Sequence, residues 1–166
     1  MNYHKIITDD QLNGDGLRVV LFVSGCDHHC KGCQNPQTWD QNSGQEFTNK
    51  EKEKILQMLS EDYISGITLS GGDPLHPNNI DCICDIVKSI RKKYNNSKDI
   101  WLYTGYKYED ILPFLKDKLL KNIDVLVDGE FIEELADKKY KWAGSTNQRV
   151  IDVRQSLNKN TVVLYK

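Results

Sequence analysis

Apolar positions fall in short blocks separated by polar, glycine-bearing turns. Arg18 to Val23 reads Arg-Val-Val-Leu-Phe-Val between Gly16 and Gly25, a β-branched run of the kind expected of a strand buried on both faces. Thr48-Asn49-Lys50-Glu51 spells a capping box. The helix it opens carries Ile55, Met58 and Leu59 on one apolar face. Gly66 to Leu69 predicts a second strand, running into Ser70-Gly71-Gly72-Asp73-Pro74. Asn78 or Asn79 can cap a helix reaching about Tyr94, with Ile80, Ile83, Cys84, Val87 and Ile90 on its inner side. Ile100 to Tyr103 predicts a third strand, stopped by Thr104-Gly105. A helical stretch follows over Ile111 to Leu120, with Pro113 near its start. Ile123 to Val127 predicts a fourth strand, ending at Asp128-Gly129. Arg149 to Val153 and Thr161 to Leu164 predict two more.

Strand alternating with helix implies an α/β fold with a mostly parallel sheet. A full eight-unit barrel takes about 250 residues. At 166 residues the choice is an open sheet or a partial (β/α) barrel. In either, ligands sit beyond the C-terminal ends of the strands. The unusual motifs fall there. A cysteine-rich segment follows the first strand, Gly-Gly-Asp-Pro the second, Thr-Gly-Tyr the third and Asp-Gly-Glu the fourth.

The length and the lack of repeats or linkers predict one domain over residues 1–166. Lys plus Arg number 22 and Asp plus Glu 24, a formal charge of −2. That balance argues against a protein held by general attraction to nucleic acid or to an acidic membrane. No run approaches the roughly 18 apolar residues of a membrane helix. The N-terminal residues lack a signal-peptide layout, so a cytoplasmic protein is expected.

Five cysteines change the picture. They are odd in number and clustered, unlike a disulfide framework. Cys26, Cys30 and Cys33 have the spacing C-x3-C-x2-C, and Gly25 and Gly32 give that segment the freedom to wrap a metal centre. In a [4Fe–4S] cluster three thiolates leave one iron open to another ligand. The alternative is a structural Cys3His zinc site completed by His28 or His29. Cys84 belongs on an apolar helix face and Cys82 off it, and neither is assigned to a metal. In Ser70-Gly71-Gly72-Asp73-Pro74 two glycines let a ligand approach the backbone, and Asp73 offers a carboxylate to a ligand ammonium. The bland alternative is a tight turn. Lys88, Arg91, Lys92 and Lys93 read as a solvated helix face. Gly144-Ser145-Thr146-Asn147-Gln148-Arg149 is a polar loop or a substrate or partner contact. His4 and His76 belong to no motif.

With these residues laid out, the chain resembles the radical S-adenosylmethionine (SAM) superfamily, and within it the branch that activates the anaerobic ribonucleoside-triphosphate reductase. The resemblance covers nearly the whole chain. It is carried by Asp15-Gly16-Leu17-Arg18, by the cysteine segment continuing as Gln34-Asn35-Pro36-Gln37-Thr38-Trp39, and by Leu69 to Leu75. Tyr103-Thr104-Gly105-Tyr106, Val127-Asp128-Gly129 and Gly144 to Arg149 follow in order. It implies a partial barrel of the radical SAM type. It implies that Cys26, Cys30 and Cys33 bind a [4Fe–4S] cluster whose open iron takes the amino and carboxylate groups of SAM. Gly71, Gly72, Asp73 and Pro74 would hold the SAM amino group, and Gly32 and Gln34, beside Cys33, would lie near its adenine or ribose. No catalytic residue beyond the cofactor ligands is implied. The implied reaction is reductive cleavage of SAM and formation of a glycyl radical on the reductase, the protein substrate, with a low-potential electron donor such as flavodoxin. Gly32 stands where many members carry an aromatic residue, and Asp73 where much of the superfamily has Glu. A sister activase of the pyruvate formate-lyase type is one alternative. A non-catalytic zinc-binding interaction module is the alternative from another class.

Overall fold

The computed structural model describes residues 1–166. The fold is α/β, with one seven-stranded mixed sheet. In chain order the elements are β1 (Asn2–Asp10), β2 (Arg18–Val23), β3 (Gln45–Glu46), α1 (Asn49–Met58), β4 (Gly66–Gly71), α2 (Ile80–Tyr94), β5 (Asp99–Tyr103), α3 (Tyr108–Leu115), β6 (Val125–Asp128), β7 (Arg149–Asp152) and α4 (Val153–Lys159). The sheet order is β3-β1-β2-β4-β5-β6-β7. Its centre, β2-β4-β5-β6, is parallel. β1 and β3 extend one edge antiparallel and β7 closes the other.

The expected strands of the centre form because their side chains have two buried faces to fill. Val19, Leu21, Val23, Ile67, Leu69, Ile100, Leu102 and Leu126 pack with Ile55 of α1, with Leu59 just after it, and with Ile83, Cys84, Ile86, Val87 and Ile90 of α2. On the alternating positions Trp101, Val125, Val127 and Val150 form a second, smaller cluster with Tyr103, Trp142 and Tyr165. The capping box is present in full: Thr48 N–H donates to Glu51 at 2.8 Å and the Thr48 hydroxyl oxygen accepts from Lys50 N–H at 3.3 Å. No helix is long and apolar enough to cross a membrane.

Several boundaries differ from expectation. β1 had no apolar run to announce it. Its residues are mostly half-buried, and it is defined by pairing between β3 and β2. The fourth strand begins at Val125 because Leu120–Asn122 makes a 3-10 turn that ends at Ile123. The helix around Pro113 runs Tyr108–Leu115, earlier than the pattern suggested. β7 stops at Asp152, whose carboxylate accepts from Gln155 N–H at 2.9 Å and opens α4 where strand was expected to continue. Thr161 to Leu164 is reduced to one bridge, Ile151 to Leu164. Arg91 is not on a solvated face. Its guanidinium reaches Asp124 at 2.5 Å and the carbonyls of Asn122, Asn95 and Lys98.

Candidate functional site

Four loops leave the C-terminal ends of β2, β4, β5 and β6 and border one open cleft. Its lining includes Cys26, Cys30, Cys33, Gln34, Gly71, Gly72, Asp73, Thr104, Gly105, Gly129 and Gln148. Gly72 allows this convergence. A Cβ there would meet the Gly25 carbonyl oxygen at 2.5 Å and that of Thr38 at 3.0 Å. The glycine is what lets the β4 turn lie against the start of the cysteine loop, where Asp73 N–H donates to Gly25 at 2.7 Å.

The three thiols of the cysteine loop all line this cleft, and main-chain N–H groups lie near them. His28 and His29 N–H groups lie against the Cys26 sulfur, Phe131 N–H against Cys30, and Asn35 N–H donates to Cys33 Sγ at 3.4 Å. Burial nevertheless pushes the Cys26 thiol up to about 11 and raises that of Cys30. At Cys26 and Cys30 burial outweighs the neighbouring N–H groups, which favours the protonated thiol in the metal-free protein. Three thiols on one cleft are a donor set that a [4Fe–4S] cluster could use, with N–H groups near sulfur of the kind that tune cluster potentials.

The histidines do not complete a zinc site. His28 turns both ring nitrogens to carboxylates, Nε2 to Asp73 Oδ2 at 2.9 Å and Nδ1 to Glu130 Oε1 at 3.0 Å. The hydrogen bond to Asp73 leads in raising its pKa, against the burial that lowers it. His29, at φ 48°, lies against the Trp39 ring at 4.7 Å. His76, which belonged to no motif, is buried, accepts from Asn78 N–H at 3.2 Å, and faces Asp27 of the cysteine loop at 3.4 Å.

The other expected site residues divide. Gln34, Gly71 and Gly72 line the cleft. Gly32 does not. It sits at φ +72° beneath Glu133, whose carboxylate a Cβ would meet at 2.7 Å. Pro74 is buried behind the turn. Asp73 borders the cleft but is 2% exposed, and its oxygens are already engaged. Asn79 starts α2 without a side-chain cap. Its amide instead donates to the Ser24 carbonyl at 2.8 Å and the Asp73 carbonyl at 2.9 Å, stitching two of the loops together. Cys84 is core and Cys82 half-buried, both remote from the cleft lining.

The polar run before β7 proves to be a brace. Gln148 Oε1 accepts from Gly144 and Ser145 N–H at 2.9 and 3.1 Å, while its Nε2 donates to the Gly129 carbonyl at 2.9 Å. This holds the 129–148 segment beside the cysteine loop, where Lys31 meets Glu133 at 3.0 Å and Glu134 at 3.3 Å. Tyr103, from the motif at the end of β5, also lines the cleft, as do Phe131 and Asn13, which carried no sequence signal for it.

A family model described as "4Fe-4S single cluster domain" matches residues 12–151. Anaerobic ribonucleoside-triphosphate reductase-activating proteins align almost end to end. That of Enterobacteria phage T4 is 47% identical over 150 residues, covering 90% of this chain and 93% of the relative. That of Vibrio cholerae is 46% identical, covering 89% and 96%. That of Escherichia coli is 46% identical over 156 residues, covering 93% and 100%. The chain belongs to the anaerobic ribonucleoside-triphosphate reductase-activating protein family. The matched 4Fe-4S domain runs from just after β1 to within β7, so it includes all four loops of the cleft. An iron–sulfur cofactor in this family therefore agrees with three N–H-supported thiols on one surface.

Proposed function

We propose that this chain is a radical SAM activase that generates a glycyl radical on anaerobic ribonucleoside-triphosphate reductase. The observation that carries the reading is the single cleft shared by Cys26, Cys30, Cys33 and the Gly71–Gly72 turn, in a chain that matches the activating proteins over nearly their full length. Residues 1–166 are read as one radical SAM domain, with β2-β4-β5-β6 and their helices as its partial (β/α) barrel.

In this reading Cys26, Cys30 and Cys33 hold a [4Fe–4S] cluster, and the thiol protons leave when it binds. The Gly71-Gly72-Asp73-Pro74 turn holds the amino-acid end of SAM beside it. Gln34 reaches the nucleoside end, and Gly32 shapes the loop that carries Cys33. When bound, the cluster would supply the electron for reductive cleavage of the SAM carbon–sulfur bond, the chemistry by which a hydrogen atom would be removed from a glycine of the reductase. The chain's own task is geometric: its loops hold the sulfonium against the cluster and leave an open side for the partner's glycine. A low-potential donor such as flavodoxin would deliver the electron. Five unpaired thiols suit a reducing compartment such as the cytoplasm.

Anaerobic reconstitution with iron and sulfide, followed by EPR of the reduced protein with and without SAM, tests this. A [4Fe–4S] signal that shifts on adding SAM is expected. A stoichiometric zinc centre with no cluster signal would overturn the reading.

A further inference from the structure

His28 lies between two of the three cysteines, yet its ring is turned to carboxylates. Its Nε2 meets Asp73 Oδ2 at 2.9 Å and its Nδ1 meets Glu130 Oε1 at 3.0 Å. The ring packs edge-on to Tyr106 at 4.6 Å. It fills the space over Gly105, where a Cβ would meet ring carbon Cδ2 at 2.5 Å. Asp73 is 2% exposed. Its Oδ2 also accepts from the Thr104 hydroxyl at 2.9 Å and Gly105 N–H at 3.0 Å, and its Oδ1 accepts from Leu75 N–H at 2.8 Å. Three donors converge on Oδ2 and one holds Oδ1, so the carboxylate is engaged with three loops and turned away from solvent. One carboxylate and one imidazole thus join the loops after β2, β4, β5 and β6.

We infer that His28 and Asp73 act as a single brace, and that Asp73 is a positioning residue that sets the Gly71–Gly72 turn against the cysteine loop rather than a direct contact for an incoming ammonium. The inference rests on the activase reading above. Residues that act through one shared contact give non-additive losses, whereas independent contacts multiply.

The experiment is a double-mutant cycle on the anaerobically reconstituted full chain, using His28→Ala, Asp73→Ala and the double variant. SAM affinity is read from the EPR change of the reduced cluster. Hydrogen exchange of the 26–33 amides is read separately on the cluster-free protein. Each single change is expected to weaken SAM binding about tenfold, the double variant to be no weaker than the worse single, and both singles to speed exchange at the same amides. His28→Gln, which can still donate to Asp73, is expected to recover most of the loss. Thr104→Val, a milder change, is expected to show the same exchange pattern at smaller size, and it replaces the alanine variants if these do not fold. Losses that multiply would overturn the brace, as would an Asp73→Ala loss with His28→Ala unaffected or unchanged exchange in the cluster-free protein. Wild-type protein that shows no SAM-dependent signal would overturn the activase reading instead, and the exchange measurement would still judge the brace.

Discussion

The two ends of the parallel strands differ in how Arg18 and the three cysteine thiols are provided for. At the N-terminal end Arg18 is fully buried, and each of its guanidinium nitrogens has an acceptor. Its guanidinium donates to Thr68 Oγ1 at 2.9 Å, the Asp15 carbonyl at 2.7 Å, the Ile67 carbonyl at 3.0 Å and the Asp99 carboxylate, and it lies 5.2 Å from the Trp101 ring centre. Every one of these partners belongs to the sheet or the turn leading into it. At the C-terminal end three thiols share main-chain donors but meet no cation, and burial raises two of them. The first end completes itself. The second would be completed, in the proposed reading, by a metal centre that displaces the thiol protons, and this separates a stability element from a proposed binding site on the same strands.

The largest expected effect breaks the open end. Cys30→Ala removes one thiolate and should abolish cluster assembly, with iron and acid-labile sulfide at background after reconstitution, while Cys84→Ala should keep both. Retention of a SAM-responsive cluster in Cys30→Ala would remove the distinction between the ends. The closed end responds in stability instead. Asp99→Ala leaves the Arg18 charge buried with its counter-charge gone and should cost about 3 kcal/mol in urea unfolding, with cluster content per folded chain unchanged.

Gly72→Ala sits at the junction. Its new Cβ meets two carbonyl oxygens that cannot rotate away, so a loss of about 1–3 kcal/mol is expected. It should also weaken SAM binding by pushing the β4 turn off the cysteine loop. Wild-type affinity in Gly72→Ala would show that the close approach is not needed.

The smallest effect is electrostatic. Arg149 holds the Glu109 carboxyl down at about 2. Because the folded value is lowered, this contribution is present above the unfolded value near 4.5 and is lost as pH falls through about 2. Glu109 is more than half exposed, so solvent screening limits the effect to about 1 kcal/mol or less. Stability of Glu109→Gln against pH should run below wild type at neutral pH and converge with it near pH 2. Parallel curves would show that the pair contributes nothing.

Much of this architecture was legible in local pattern. Arg18 to Val23, Gly66 to Leu69 and Ile100 to Tyr103 read as strands because residues buried on both faces must be apolar throughout. The helix at Thr48 read as one because its cap is written in adjacent residues. β1 did not, because a half-buried strand owes its state to neighbours on either side rather than to its own composition. α4 did not, because Asp152 ends a strand and caps a helix in one residue.

Chain order and residue type by themselves determined that three thiols sit in one loop at a strand end, that a Gly-Gly-Asp-Pro turn follows the next strand, and that the centre of the sheet is parallel. These are local facts, set by spacing and burial. Tertiary structure alone decided what His28 and Asp73 do. His28 could have been a zinc ligand until folding set it opposite Asp73, 45 residues away, and Glu130, 102 residues away. Folding likewise took the Asp73 carboxylate out of solvent and filled it with donors from three loops. A hydrogen bond depends on a few tenths of an ångström between atoms that chain order leaves far apart, and only the packed strands bring those atoms within reach.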